Sequence, residues 1–145
     1  MTDDNVIDFL FDYEKSNKEN HVRIYTPFGI IEILLYNNTP YHRSNFIYLT
    51  KKKYFEGTQF YRVINDFVIQ SGDPSCTEVI AYPGTNPTCG DGGSDNTIPL
   101  EINGNLTHIN GAIGMARGTD PDSASSQFYI CDTSQHGLDN GNRTL

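Results

Sequence analysis

Apolar and polar residues alternate most regularly at residues 21–26, His-Val-Arg-Ile-Tyr-Thr. A period of two is that of a strand with one covered face. Pro27-Phe28-Gly29 is a turn signal, and Ile30-Ile-Glu-Ile-Leu-Leu-Tyr36 resumes as a β-branched strand, so a hairpin is predicted. The pattern then changes. Thr39 suits an N-cap and Pro40 the first helical position, where a missing N–H costs nothing. Tyr41, Phe46 and Leu49 follow at helical spacing, and Lys51, Lys52 and Lys53 suit the last turn. One helix is therefore expected near residues 40–52. Residues 59–64 and 67–71 read as two strands about a turn at Asn65-Asp66. Residues 72–97 are a long loop rich in Gly, Pro, Asp and Asn, of a length that carries function or moves. Short strands are expected at 98–100, 112–115 and 127–131. Residues 1–21 are acidic and polar around Val6, Ile7, Phe9, Leu10 and Phe11, and read as a short helix or loose arm. Many short strands with few helices indicate a mainly β barrel or sandwich over residues 22–145.

Composition narrows the function classes. With 145 residues the chain suits one core. The net charge of −8 excludes a general nucleic-acid binder and docking on an anionic membrane surface. The longest apolar run, residues 29–36, is broken by Glu32 and falls far short of the ~20 residues that span a bilayer. The acidic start, Met1-Thr2-Asp3-Asp4, lacks the basic and apolar stretches of a secretory signal, so a cytoplasmic protein is expected. Cys76, Cys89 and Cys131 show no C-x-x-C spacing, and His21, His42, His108 and His136 show no metal-like spacing. Neither metal nor other cofactor is expected. Gly90-Asp-Gly-Gly93 lacks the lysine of a phosphate loop, and no G-x-S-x-G elbow is present. Cys76 and Cys89 flank residues 77–88. They are expected as free thiols in a reducing compartment, and as a disulfide outside one.

Two long motifs carry the chemistry. Phe60-Tyr-Arg-Val-Ile-Asn-Asp-Phe-Val-Ile-Gln-Ser-Gly-Asp73 resembles the cyclophilin signature F-H-R-V-I-x-x-F-x-I-Q-G-G-D. Gly111-Ala-Ile-Gly-Met-Ala-Arg117 through Ser123-Ala-Ser-Ser-Gln-Phe-Tyr-Ile130 resembles G-x-L-S-M-A-R … S-x-S-Q-F-F-I of the same family. Leu138-Asp139-Asn140-Gly141 is similar to its L-D-G, and Arg43, Asn45 and Phe46 fall where the family has its first helix. The resemblance covers residues 22–145 and implies a cyclophilin-like antiparallel β-barrel that turns over prolyl bonds in peptides and unfolded proteins. It implies Arg62, Phe67 and Gln70 as catalytic residues. It further implies Val68, Tyr129 and Leu138 as an apolar cup, and Gln127 with Ala116-Arg117 along a peptide groove. Outside that motif context, Arg62 is an ordinary strand arginine and Phe67, Tyr129 and Leu138 are plain core. The residues alone leave both readings open.

The departures matter as much. Tyr129 stands where the family has phenylalanine, and its hydroxyl is expected to reach into the groove or bind water at the cup's edge. Gly137 replaces a tryptophan that many members carry, which implies weak cyclosporin binding. The histidine after L-D-G is missing, its place falling on Asn142 or Arg143. His108 reads as structural and Met115 as core. The resemblance also implies a further closing strand and a second helix beyond Leu145, so the domain is expected to be C-terminally incomplete. A proline-segment binding or scaffold module without turnover is the competing function.

Overall fold

The computed structural model describes residues 5–77, 89–139 and 144. The apolar positions of the acidic N-terminal stretch form a helix, α1 (Val6–Ser16), that buries Val6 and Leu10, four residues apart on one face, together with Ile98. A hairpin follows, β1 (His21–Thr26) and β2 (Gly29–Leu34), with Val22 opposite Ile33 and Arg23 opposite Glu32. The alternation sends Val22 and Ile33 into the core. It leaves Arg23 and Glu32 outside, paired at 2.8 Å.

The expected helix is α2 (Pro40–Lys51). Its side chains tie the fold together. Phe46 packs on Phe55 and Phe128 at centroid distances of 4.9 and 5.3 Å. Asn45 donates to the Ser125 carbonyl at 2.8 Å. α1 lies against α2, with Phe9 and Tyr13 edge-on to Tyr48. Arg43, almost wholly buried, donates from Nη2 to Glu14 Oε1 at 2.7 Å. Thr39 occupies the N-cap position, but its hydroxyl does not cap the helix. The Glu101 carboxylate does so from outside, accepting from the Tyr41 and His42 N–H groups at 3.1 and 2.8 Å. A full negative charge at the positive end of the helix outcompetes a neutral hydroxyl.

The remaining strands, β3 (Arg62–Ile64), β4 (Val68–Ser71), β5 (Ile113–Met115) and β6 (Phe128–Cys131), form one antiparallel sheet in the order β3-β4-β6-β5. A 3-10 turn, His136–Leu138, follows. Residues 98–100 do not form the expected strand. Ile98 makes a single bridge to Ala124, after which the Leu100 and Glu101 N–H groups turn to the side chains of Asp122 and Thr144.

The two sheets are not closed into the expected barrel. The hairpin and the four-stranded sheet are held together by side chains instead. Val22, Ile33, Leu35, Phe46, Met115 and Phe128 make the shared core. On the outer side of β5 the Met115 N–H donates to the Thr144 carbonyl at 2.9 Å.

Candidate active site

Register builds the site. Arg62 of β3 stands opposite Gln70 of β4, Gln70 opposite Tyr129 of β6, and Tyr129 opposite Gly114 of β5. Directly opposed residues share a face, so this row crosses the whole sheet. The alternating positions Ser71, Phe128 and Met115 fall on the other face, where Phe128 and Met115 enter the core. Gly114 is needed in this row, because a Cβ there would run into the Tyr129 ring and hydroxyl.

On the row's face lies an open groove of about 430 Å³, lined by Arg62, Phe67, Val68, Gln70, Ala116, Arg117, Tyr129 and Leu138, together with Tyr61 and Gly90. Val68 and Tyr129 pack with Ala112 and Cys131, and Phe67, Ala116 and Leu138 close around them. This gives a dry, apolar floor. Arg62 stands at its exposed edge, its guanidinium 5.8 Å from the Phe67 ring centroid and its Nη1 donating to Gln70 Oε1 at 3.0 Å. Gln70 Nε2 donates to the Tyr61 hydroxyl at 2.6 Å and to Gln127 Oε1 at 2.9 Å. Tyr61 in turn donates to Gln127 Oε1. Gln127 Nε2 donates to the carbonyls of Gly90 and Gly92 at 2.9 and 2.5 Å. Burial and the nearby Asp73 charge push the Tyr61 phenol up to about 12. On the other wall the Ala116 N–H donates to the Gln127 carbonyl, and Arg117 Nη1 donates to the carbonyls of Gly118 and Thr119.

The structure thus brings the motif residues to one groove, with Gln127 beneath its edge. Sequence reasoning missed two lining residues. Tyr61 stands where the signature writes histidine, and that departure was the available signal. Gly90 belongs to the glycine run 90–93, in which the sequence alone signals no groove.

Two expectations are corrected. The Tyr129 hydroxyl does not reach into the groove or its edge. It lies 2.8 Å from His108 Nε2 in the interior, because Gly114 leaves room behind the ring. Cys76 and Cys89 are not free thiols but a disulfide, with Cα atoms 5.2 Å apart. Asp73 brings them together. Its carbonyl accepts from the Cys76 N–H, and its Oδ2 accepts from the Gly90 and Gly92 N–H groups at 2.6 and 3.0 Å. Burial alone would raise the Asp73 carboxyl, but the hydrogen bonds from Ser75, Gly90 and Gly92 hold it below its ordinary value. Residues 140–143, including Asn142 and Arg143, and the loop interior 78–88 lie outside the described residues.

Behind the floor, His108 is buried, with Nδ1 2.8 Å from Asp139 Oδ1, and Asp139 also meets His136 at 2.9 Å. These bonds, that of the His108 side chain first, pull the Asp139 carboxyl down to about 2. Among the described residues no cluster of His, Cys, Asp or Glu is arranged to hold a metal ion, and no helix is long and apolar enough to cross a membrane.

Residues 21–144 match the family model described as cyclophilin type peptidyl-prolyl cis-trans isomerase/CLD. The chain belongs to this family. It is 36% identical over 110 residues to a peptidyl-prolyl cis-trans isomerase of Acinetobacter baylyi, covering 75% of this chain and 53% of that protein. It is 38% identical over 111 residues to the isomerase ppi1 of Schizosaccharomyces pombe, covering 76% and 66%. The chain therefore spans between about half and two thirds of the length of these relatives. Among solved structures it resembles a cyclophilin-type isomerase of Cryptosporidium parvum determined in the presence of the dipeptide Ala-Pro. The TM-score is 0.72 at 28% identity, covering 86% of this chain and 74% of that one. The cyclophilin fold is thus present, with its sheets unclosed.

Proposed function

We propose that this cyclophilin domain catalyses cis/trans isomerisation of X–Pro bonds in peptides and unfolded chains. The observation that carries the reading is a guanidinium, Arg62, fixed by Gln70 at the rim of the apolar floor made by Phe67, Val68, Tyr129 and Leu138. The resting barrier of ~18–20 kcal/mol comes from partial C–N double-bond character. No bond needs to be broken. Whatever favours the twisted imide over the planar one lowers that barrier. The apolar floor takes the proline ring out of water. Arg62, a permanent planar fork of donors, faces the bond from the rim and donates to the imide as it loses planarity. Ala116 and Arg117 line the groove beside the flanking peptide, and Gln127, its amide committed to Gln70, Tyr61, Gly90 and Gly92, supports the groove from beneath. The Ala-Pro dipeptide of the C. parvum structure supports proline peptides as the ligand class.

Weak cyclosporin binding belongs to the same reading. Gly137 sits in the 3-10 turn with open space where a side chain would point, so it offers neither surface nor an indole donor. Titration with cyclosporin checks this.

The deciding experiment is a coupled isomerisation assay on a proline peptide, with wild type and Arg62→Ala compared. Arg62→Ala should lose turnover by about two orders of magnitude or more, the scale of one lost oxyanion-type donor, while keeping its melting temperature. Arg62→Lys should not restore it, since a point charge cannot replace the fork. Wild-type turnover in Arg62→Ala would sink the assignment. Peptide binding without turnover in the wild type would make the domain a proline-segment binding module instead.

A further inference from the structure

Arg62 is exposed and makes its side-chain contact to Gln70 through a single amide oxygen. A glutamine amide has a donating and an accepting end, and reversing it presents the wrong one. If Gln70 turned over, its NH2 would face the guanidinium, donor against donor. Something must therefore set which way Gln70 points.

The direction is fixed from the far end. Gln127 Nε2 lies 2.9 and 2.5 Å from the carbonyls of Gly90 and Gly92, groups that only accept. Gln127 Oε1 must then face inward. There it accepts from Gln70 Nε2 at 2.9 Å and from the Tyr61 hydroxyl. The Tyr61 oxygen, its O–H donating to Gln127, accepts from Gln70 Nε2 at 2.6 Å. Gln70 thus has its NH2 end committed to two acceptors, and its oxygen is left for Arg62. The two carbonyls at the start are anchored in turn, since Asp73 grips the N–H groups of the same two glycines and the disulfide closes the chain at Cys89 beside them. Each link runs in one direction, from backbone carbonyls to the guanidinium.

We propose that Tyr61 is a positioning residue for the isomerisation, holding Gln70 in the orientation that presents its oxygen to Arg62. Gln127 sets this polarity through its direct bond to Gln70 at 2.9 Å, and Tyr61, which accepts from Gln70 at 2.6 Å and donates to Gln127, adds a second and shorter hold on the same NH2. Burial and the Asp73 charge favour the protonated phenol, so the donor persists across the neutral range. The proposal rests on the isomerase reading of this groove.

The test is the isomerisation assay on wild type, Tyr61→Phe, Gln70→Ala and the double variant, with melting temperatures recorded. Tyr61→Phe should lower kcat/KM about tenfold, the worth of one neutral hydrogen bond, and the fall should lie in kcat rather than KM. In the Gln70→Ala background the same substitution should change kcat/KM by less than about twofold, because the relay is already cut. Equal losses in both backgrounds, or no loss in either, overturn the proposal. Absence of turnover in the wild type is a different result, which removes the isomerase reading and this proposal with it. Should Tyr61→Phe fail to fold, exchange of the Gln70 and Gln127 side-chain amide protons in the unaltered chain decides. Slow exchange supports the relay, and exchange as fast as that of an exposed glutamine overturns it.

Discussion

The Tyr129 hydroxyl and Nε2 of His108 lie 2.8 Å apart behind the groove floor, their rings stacked at a centroid distance of 5.9 Å. Nδ1 is turned to the Asp139 carboxylate, which leaves Nε2 to the phenol. Tyr129→Phe leaves a buried ring nitrogen without that partner. Such an orphan costs about 1–3 kcal/mol, so the variant should unfold at lower urea than wild type, with an unchanged slope. Equal midpoints would contradict the pairing.

Acid should act through Asp139. Its folded-state pKa, about 2 against an ordinary 3.8, is depressed by His108 first and His136 after it. A depressed carboxyl contributes stability above its ordinary value and loses that contribution as pH falls through the folded one. Wild-type stability should therefore decline between about pH 4 and 2. Asp139→Asn should be less stable at pH 7 and show a flatter decline across that window. Denaturant melts of both forms at several pH values measure it.

The Cys76–Cys89 bond closes the chain next to a groove wall. A covalent closure of this loop length stabilises a domain by about 3 kcal/mol. The double variant Cys76→Ser, Cys89→Ser should melt at lower temperature. It should also turn over proline peptides more slowly, because Gly90 and Gly92 lose part of their anchoring. Thiol titration checks the premise. The native chain should offer no rapidly reacting thiol, since Cys131 is buried with its pKa pushed up to about 11, and one thiol should appear on denaturation without reductant.

Much of this was legible in the sequence where information is local. The period-two run at residues 21–26 and the Thr39-Pro40 start gave the hairpin and α2. The two long motifs placed the groove residues through their resemblance to the family, and the register of β3, β4 and β6 is the physical reason they meet. What was not legible depends on distant partners. Nothing near Thr39 says that Glu101, some sixty residues on, supplies the cap. Nothing near Tyr129 says that its hydroxyl turns inward, since that needs both His108 behind it and no side chain at Gly114. Closure of the sheets is likewise decided between strands rather than within one. Closure depends on whether the outer edges of β2 and β5 find ladder partners, and alternation within a strand carries no information about its neighbours.

The division into two sheets also orders assembly. Every ladder bond of the hairpin is made between near neighbours in sequence, and hairpins close in microseconds. The groove has no such shortcut, because β4 must find β6 roughly sixty residues along the chain before the Arg62–Gln70–Tyr129 row exists. Contacts of that span slow folding, since the entropy of closing the loop is lost before any packing rewards it. The half of the molecule that carries the proposed peptide groove is thus the half expected to form late. In a refolding experiment, peptide binding should be recovered after the hairpin has already gained its protection from hydrogen exchange.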